Sequence, residues 1–130
     1  MVCFDTDLLI ALIRERDDAV NFLKSLGKAV RLTTTFVSAC ELYEGAYRSN
    51  NPEKELERVE KVLGVLTILM PSAELADSFG KVSGNLENNG QPIGNFDVLI
   101  ACIAMKNGET LVSRNIKHFD RIQGLKLISW

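Results

Sequence analysis

The chain has 130 residues, 46% of them hydrophobic and 25% charged. That balance suits one packed domain spanning residues 1–130 and excludes a disordered chain, because enough apolar surface is present to offset chain entropy. A formal net charge of −2 excludes a globally basic nucleic-acid binder, and the longest unbroken apolar run, Val98–Met105, is far short of the ~18 residues of a membrane span.

From the N-terminus, Met1–Phe4 reads as a short strand ending at Asp5. No basic segment precedes an apolar one there, so the opening does not read as a secretion signal. Asp7–Arg14 reads as a short helix, and Ala19–Leu26 as another with helical spacing of Val20, Phe22, Leu23 and Leu26, stopped by Gly27. Val30–Thr33 is a second strand. Thr35 or Phe36 opens a helix to about Ser49, and Glu53–Leu63 forms the next, ended at Gly64. Val65–Met70 is a third strand closed by Pro71. Ser72 is the expected N-cap of a helix to Asn88, and Asn95 that of an apolar helix to Asn107, stopped at Gly108. Thr110–Ser113 is a fourth strand and Leu125–Ile128 a candidate fifth. Short apolar strands alternating with longer helices argue for a parallel sheet with helices on both faces.

Cys3, Cys40 and Cys102 fit no Cys-x-x-Cys spacing. Their apolar sequence neighbours suggest buried, reduced thiols in a cytoplasmic protein. Residues 101–130 carry 5 Lys/Arg against 2 Asp/Glu, whereas residues 1–100 carry 10 against 15. A phosphate-contacting surface near the end of the chain and a merely solvated face both fit that charge distribution.

In parallel α/β folds, sites form at the carboxyl ends of strands near the point where strand order reverses. Asp5 ends the first strand, Asn115 follows the fourth, Asp97 lies in the first turn of the helix from Asn95, and Glu41 lies early in the helix after the second strand. Clustered carboxylates repel one another, and a hard divalent cation removes the conflict. Oxygen donors without His or Cys point to Mg²⁺ or Mn²⁺ rather than Zn²⁺. The lone His118 cannot build a zinc site and reads as a surface histidine. Each residue also has a structural explanation. Asp5 can cap a helix. Glu41 lies three residues after Ser38, the spacing of a capping box. Asp97 is favoured by the helix dipole, and Asn115 is a common turn residue.

Taken together, four blocks resemble the PIN-domain family, and within it the VapC-type toxins. They are Phe4-Asp5-Thr6-Asp7-Leu8-Leu9-Ile10, Ser38-Ala39-Cys40-Glu41-Leu42-Tyr43-Glu44-Gly45-Ala46, Ile93-Gly94-Asn95-Phe96-Asp97-Val98-Leu99-Ile100-Ala101 and Leu111-Val112-Ser113-Arg114-Asn115-Ile116-Lys117-His118-Phe119. The resemblance implies a three-layer α/β/α sandwich around a parallel sheet of four to five strands. It implies a Mg²⁺-dependent endoribonuclease, with Mn²⁺ able to substitute, that cleaves RNA with a metal-activated water. It also implies a cognate VapB-type antitoxin and a homodimer. Asp5, Asp97 and Glu41 match the metal-binding acidic positions, and Asn115 matches a fourth position that is Asp or Asn in relatives. Thr6 and Ser113 match hydroxyls that orient ligands or water. Arg114 and Lys117 are candidates to hold RNA phosphates. His118 departs from the Asp or Glu that many relatives carry there, and Asp120 lies nearby without a motif to promote it.

Three other readings compete. Asp5-Thr6-Asp7 looks like the Asp-x-Asp start of a haloacid-dehalogenase-type phosphatase with Asp5 as nucleophile, but a catalytic Lys followed by a late acidic pair is not apparent. A phosphoreceiver domain would need an acceptor Asp near Leu69-Met70-Pro71. A non-catalytic scaffold of the same fold would not need the three carboxylates.

Overall fold

A computed structural model describes all residues 1–130. Five strands, β1 (Val2–Phe4), β2 (Leu32–Thr35), β3 (Thr67–Leu69), β4 (Thr110–Val112) and β5 (Leu127–Ile128), form one sheet in the order β3-β2-β1-β4-β5, with every pairing parallel. Seven helices cover it: α1 (Thr6–Ile13), α2 (Asp17–Ser25), α3 (Phe36–Tyr47), α4 (Pro52–Leu63), α5 (Leu75–Asn88), α6 (Asn95–Lys106) and α7 (Ile116–Phe119). The expected α/β/α sandwich is therefore present, and the candidate fifth strand is real. None of the helices is long and apolar enough to cross a membrane.

Two apolar layers hold the sheet. On one face Phe4, Leu8, Leu9, Leu42 and Val112 pack with α1, α3 and α4. On the other, Cys3, Leu69, Ile100, Ile103, Leu111 and Phe119 pack with α5, α6 and α7. β1 is central and fully covered, so its residues are buried on both sides, as a parallel strand requires.

Several boundaries differ from the sequence reading, each for a physical reason. β2 runs two residues later than expected, because threonines fill it. Thr33 and Thr34 donate their hydroxyls to the Val2 and Phe4 carbonyls at 3.0 and 2.8 Å, which lets polar residues stay buried without penalty. Asn95 is the first residue of α6 and Gly94 the cap. Ser72 stands outside α5, where Leu75 N–H donates to its carbonyl instead. α7 has too few residues to show periodicity and was absent from the expected elements. Cys40 is exposed, correcting the expectation of three buried thiols, whereas Cys3 and Cys102 are buried. The apolar neighbours of Cys40 in sequence lie on other faces of α3, and Cys40 shares the outer face with exposed Tyr43 and Tyr47.

Phe4 is 1% exposed and meets Phe22 edge-on at 6.3 Å between ring centroids. Phe4→Ala is expected to destabilise the fold by about 3–5 kcal/mol, read as a lower urea midpoint. A loss under about 1 kcal/mol would show that α2 is not anchored to β1 as described.

Candidate active site

Strand order reverses at β1, whose neighbours on the two sides are β2 and β4. The register pairs Phe4 with Thr34 and with Val112. Asp5 therefore stands level with Thr35 on one side and Ser113 on the other, at the carboxyl end of the sheet.

Asp5 is the N-cap of α1, and its Oδ1 accepts the Leu8 N–H at 2.9 Å. The capping role weighed against a functional one is thus real, but it engages one oxygen of a carboxylate that is only 4% exposed. Burial pushes its pKa up to about 6. The Ser113 hydroxyl and the Leu8 amide work against that rise, and the negative charges of Asp7 and Asp97 add to it.

Glu41 sits in the second turn of α3. The cap of that helix is Thr35, whose Oγ1 accepts the Ser38 N–H at 3.0 Å. Ser38 is therefore inside the helix, and the Ser38–Glu41 capping box does not form. Glu41 instead accepts a hydrogen bond from the Thr6 hydroxyl at 2.7 Å. Thr6 also lies 3.0 Å from the Ser38 Oγ. A hydroxyl has one proton, and the charged Glu41 oxygen is the stronger acceptor, so Ser38 donates to Thr6 while Thr6 donates to Glu41. Burial, followed by the charges of Asp97 and Asp7, raises the Glu41 pKa against the pull of Thr6.

Asp97 is the third residue of α6. Burial raises its pKa, opposed by His118, and Asp7 raises it further. His118 Nδ1 lies 3.9 Å from Asp97 Oδ2 and 2.9 Å from Asn115 Nδ2. The histidine expected at the surface is half-buried against the acidic cluster. Asn115 is held by its own N–H donating to Ser113 Oγ at 3.0 Å. Ser113 is fully buried and thereby touches both Asn115 and Asp5.

The structure thus brings Asp97 within electrostatic reach of both Asp5 and Glu41, with Thr6 and Ser113 as hydroxyl partners of the latter two and Asn115 beside Asp97 through His118. Asp7 is the member that sequence reasoning passed over. It is exposed, and its charge acts on all three carboxylates; its place two residues after Asp5 was the available signal. Asp120 is exposed at the end of α7 and shows no contact with the cluster. Arg114 is engaged within the chain. Its Nε donates to the Trp130 main-chain oxygen at 2.8 Å, a second nitrogen pairs with Asp18 at 2.8 Å, and its guanidinium stacks 3.8 Å from the Trp130 ring centroid. Lys117 is exposed.

Apart from the His118 approach, no basic side chain pairs with any of these carboxylates. As the side chains stand, no three of them close on one point as direct ligands would. An all-oxygen donor set with raised pKa values fits a hard divalent cation, of the kind that binds through one or two carboxylates and keeps several waters.

Residues 2–125 match the PIN domain family. The chain belongs to this family, among its VapC-type ribonucleases. It is 32% identical to ribonuclease VapC1 of Haemophilus influenzae over 127 residues, 97% of this chain and 95% of that protein. It is 29% identical to the tRNA(fMet)-specific endonuclease VapC of Shigella flexneri over 126 residues, again 97% and 95%. Among solved structures it superposes on VapBC2 from Rickettsia felis, bound to a DNA fragment from the promoter, with a TM-score of 0.92 and 32% identity, covering 100% of this chain and 99% of that one. Membership in this family does not favour the phosphatase or scaffold readings.

A carboxyl whose pKa is raised by folding holds its proton more tightly in the fold. Stability therefore falls as pH climbs from about 4 toward about 6, and the penalty is fully present above that. Asn at position 5 keeps an oxygen for the Leu8 amide and cannot ionise. In metal-free buffer at pH 7.5, Asp5→Asn is expected to be more stable than wild type by roughly 2–3 kcal/mol, with the gain vanishing near pH 4. Urea denaturation at the two pH values checks this, and a gain that is the same at both would refute the buried-charge account.

Proposed function

We propose that the chain is a divalent-metal-dependent endoribonuclease, the toxin of a toxin–antitoxin pair, with Asp5, Asp97 and Glu41 as its acidic centre and residues 1–130 as one nuclease domain. The observation that carries the reading is the convergence of mutually repelling carboxylates from β1, α3 and α6 at the switch point, with hydrogen-bond donors supplied to them and no Lys or Arg. Such a cluster is costly unless a cation joins it. Asp5 and Asp97 would hold Mg²⁺, or Mn²⁺ in its place, with Glu41 completing the pocket. When bound, the ion supplies a more acidic water and charge stabilisation at a phosphate.

Around that ion the chain's own residues have separable tasks. Thr6 fixes the Glu41 carboxylate through the 2.7 Å bond, leaving its other oxygen to orient a water. Ser113 and the Leu8 amide hold Asp5 in one rotamer. Asn115 would border the pocket, and the exposed Lys117 would meet an RNA phosphate. Water adds to phosphorus, and the P–O bond to the departing nucleoside oxygen breaks.

The relatives named as ribonucleases and as a tRNA endonuclease support RNA as substrate, and the VapBC assemblies support a small VapB-type antitoxin as partner. A hollow of about 320 Å³ beside Glu41, walled by Ile10, Ile13, Leu42 and Val59, suits a short amphipathic segment of such a partner. A homodimer and a cytoplasmic location complete the proposal.

Purified protein free of any antitoxin should cleave RNA at discrete positions in Mg²⁺ and not in EDTA, read by mapping the new 5′ ends. Asp5→Asn and Asp97→Asn should each abolish the cuts, and wild-type cleavage by Asp5→Asn would overturn the site. Thr6→Val should lower activity about 10-fold while leaving the fold intact, the usual cost of losing a group that orients a metal-site residue. Millimolar Mn²⁺ should raise the melting temperature of wild type but not of Asp5→Asn.

A further inference from the structure

The basic residue beside the acidic cluster is the least free cation in the molecule. Arg114 lies between Ser113, which touches Asp5, and Asn115, which touches His118. Its side chain leads away from them to α2 and to the segment after β5. The main-chain oxygen of Trp130 accepts its Nε–H, and Asp18 accepts from its terminal nitrogen, both at 2.8 Å. The Trp130 ring lies flat beneath the guanidinium at 3.8 Å, and Arg16 approaches the same ring at 5.7 Å while pairing with Asp18. Trp130 in turn packs against the apolar layer of α1, α3 and α4, and its indole N–H is buried without a partner. The ring is therefore used for its face and not for its donor. One residue earlier the backbone is tied as well, since Ser113 N–H donates to the Ile128 carbonyl at 3.0 Å.

We propose that Arg114, clasped by Trp130 and Asp18, is a positioning residue that fixes the Ser113–Asn115 segment and through it the placement of Asp5 and Asp97. The planar fork of arginine is needed, because one guanidinium must hydrogen-bond an oxygen, pair with a carboxylate and stack on a ring at once; a lysine ammonium cannot do all three. The clasp joins three distant parts of the chain at the one loop that supports carboxylates from both layers. This inference rests on the ribonuclease reading for its effect on activity, but the clasp itself does not.

The test compares Arg114→Ala, Arg114→Lys, Trp130→Ala and Trp130→Phe with wild type. Hydrogen exchange of the Ser113 and Asn115 amides needs neither metal nor RNA. It should accelerate about 10-fold or more in Arg114→Ala, Arg114→Lys and Trp130→Ala. It should stay close to wild type in Trp130→Phe, which keeps a stacking face and deletes only an unpartnered donor. In the same set, the Mn²⁺ concentration giving half-maximal thermal stabilisation should rise about 10-fold and kcat should fall by a similar factor, with KM changed little. Unchanged exchange in Arg114→Ala overturns the clasp. A raised KM with wild-type kcat, rescued by Arg114→Lys, also overturns it and makes Arg114 a phosphate ligand. Wild type that neither cleaves RNA nor responds to Mn²⁺ refutes the ribonuclease reading instead, while the exchange data still decide the clasp.

Discussion

Asp5 is a carboxylate buried at the end of the central strand, and the groups around it respond to that fact. Burial in a poorly polarisable setting resists ionisation, and the charges of Asp7 and Asp97 make it worse. A protein that needed only stability would place a Lys or Arg there. This one supplies neutral donors instead: the Leu8 amide and the Ser113 hydroxyl for Asp5, and the Thr6 hydroxyl for Glu41. Dipoles orient the carboxylates without cancelling their charge. The negative potential is left for something outside the chain to neutralise, which is the electrostatic condition for a metal site and a poor condition for a purely structural one.

The fold divides the labour between its two layers. The face of α1, α3 and α4 contributes Asp5 as a helix cap, Thr6 and Glu41. The other face contributes Asp97 at the start of α6 and His118 on α7. Neither layer alone makes the cluster. They meet only at the carboxyl end of β1, where the strand order reverses and no crossover helix covers the sheet edge. The two helix N-termini there also lower the cost of gathering negative charge.

What was legible in the sequence follows from what is local. Asp5 was visible because a strand ended in an acid, and Glu41 and Asp97 because each lies near the start of a helix whose position the apolar spacing gave. The fold class came from alternation of short strands and helices. The partners of Arg114 were not legible because Asp18 and Trp130 lie far away in the chain, and a basic residue beside an acidic motif invites a phosphate. His118 was misread because α7 is a single turn with no period to assign a face. Cys40 was misread because neighbours in sequence on a helix are not neighbours in space. β2 was shifted because buried threonines look like a turn until their hydroxyls find strand carbonyls.

Those threonines also set the geometry of the site. The pairing of Phe4 with Thr34 makes Asp5 and Thr35 level, and each caps the helix that follows it. α1 and α3 therefore start side by side, which is why Thr6, one residue into α1, reaches both Ser38 and Glu41. A slip of one residue between β1 and β2 would move α3 by about 3.3 Å along the strand and turn every side chain to the opposite face. The 2.7 Å bond between Thr6 and Glu41 could not survive that shift. The hydroxyls of Thr33 and Thr34, bonded across to β1, add two side-chain links to the ladder at just the strand pair whose alignment places Glu41 against Thr6. Valine at these positions would suit the apolar layers as well and would hold the register less firmly, so the polar composition of β2 is best understood as part of the site.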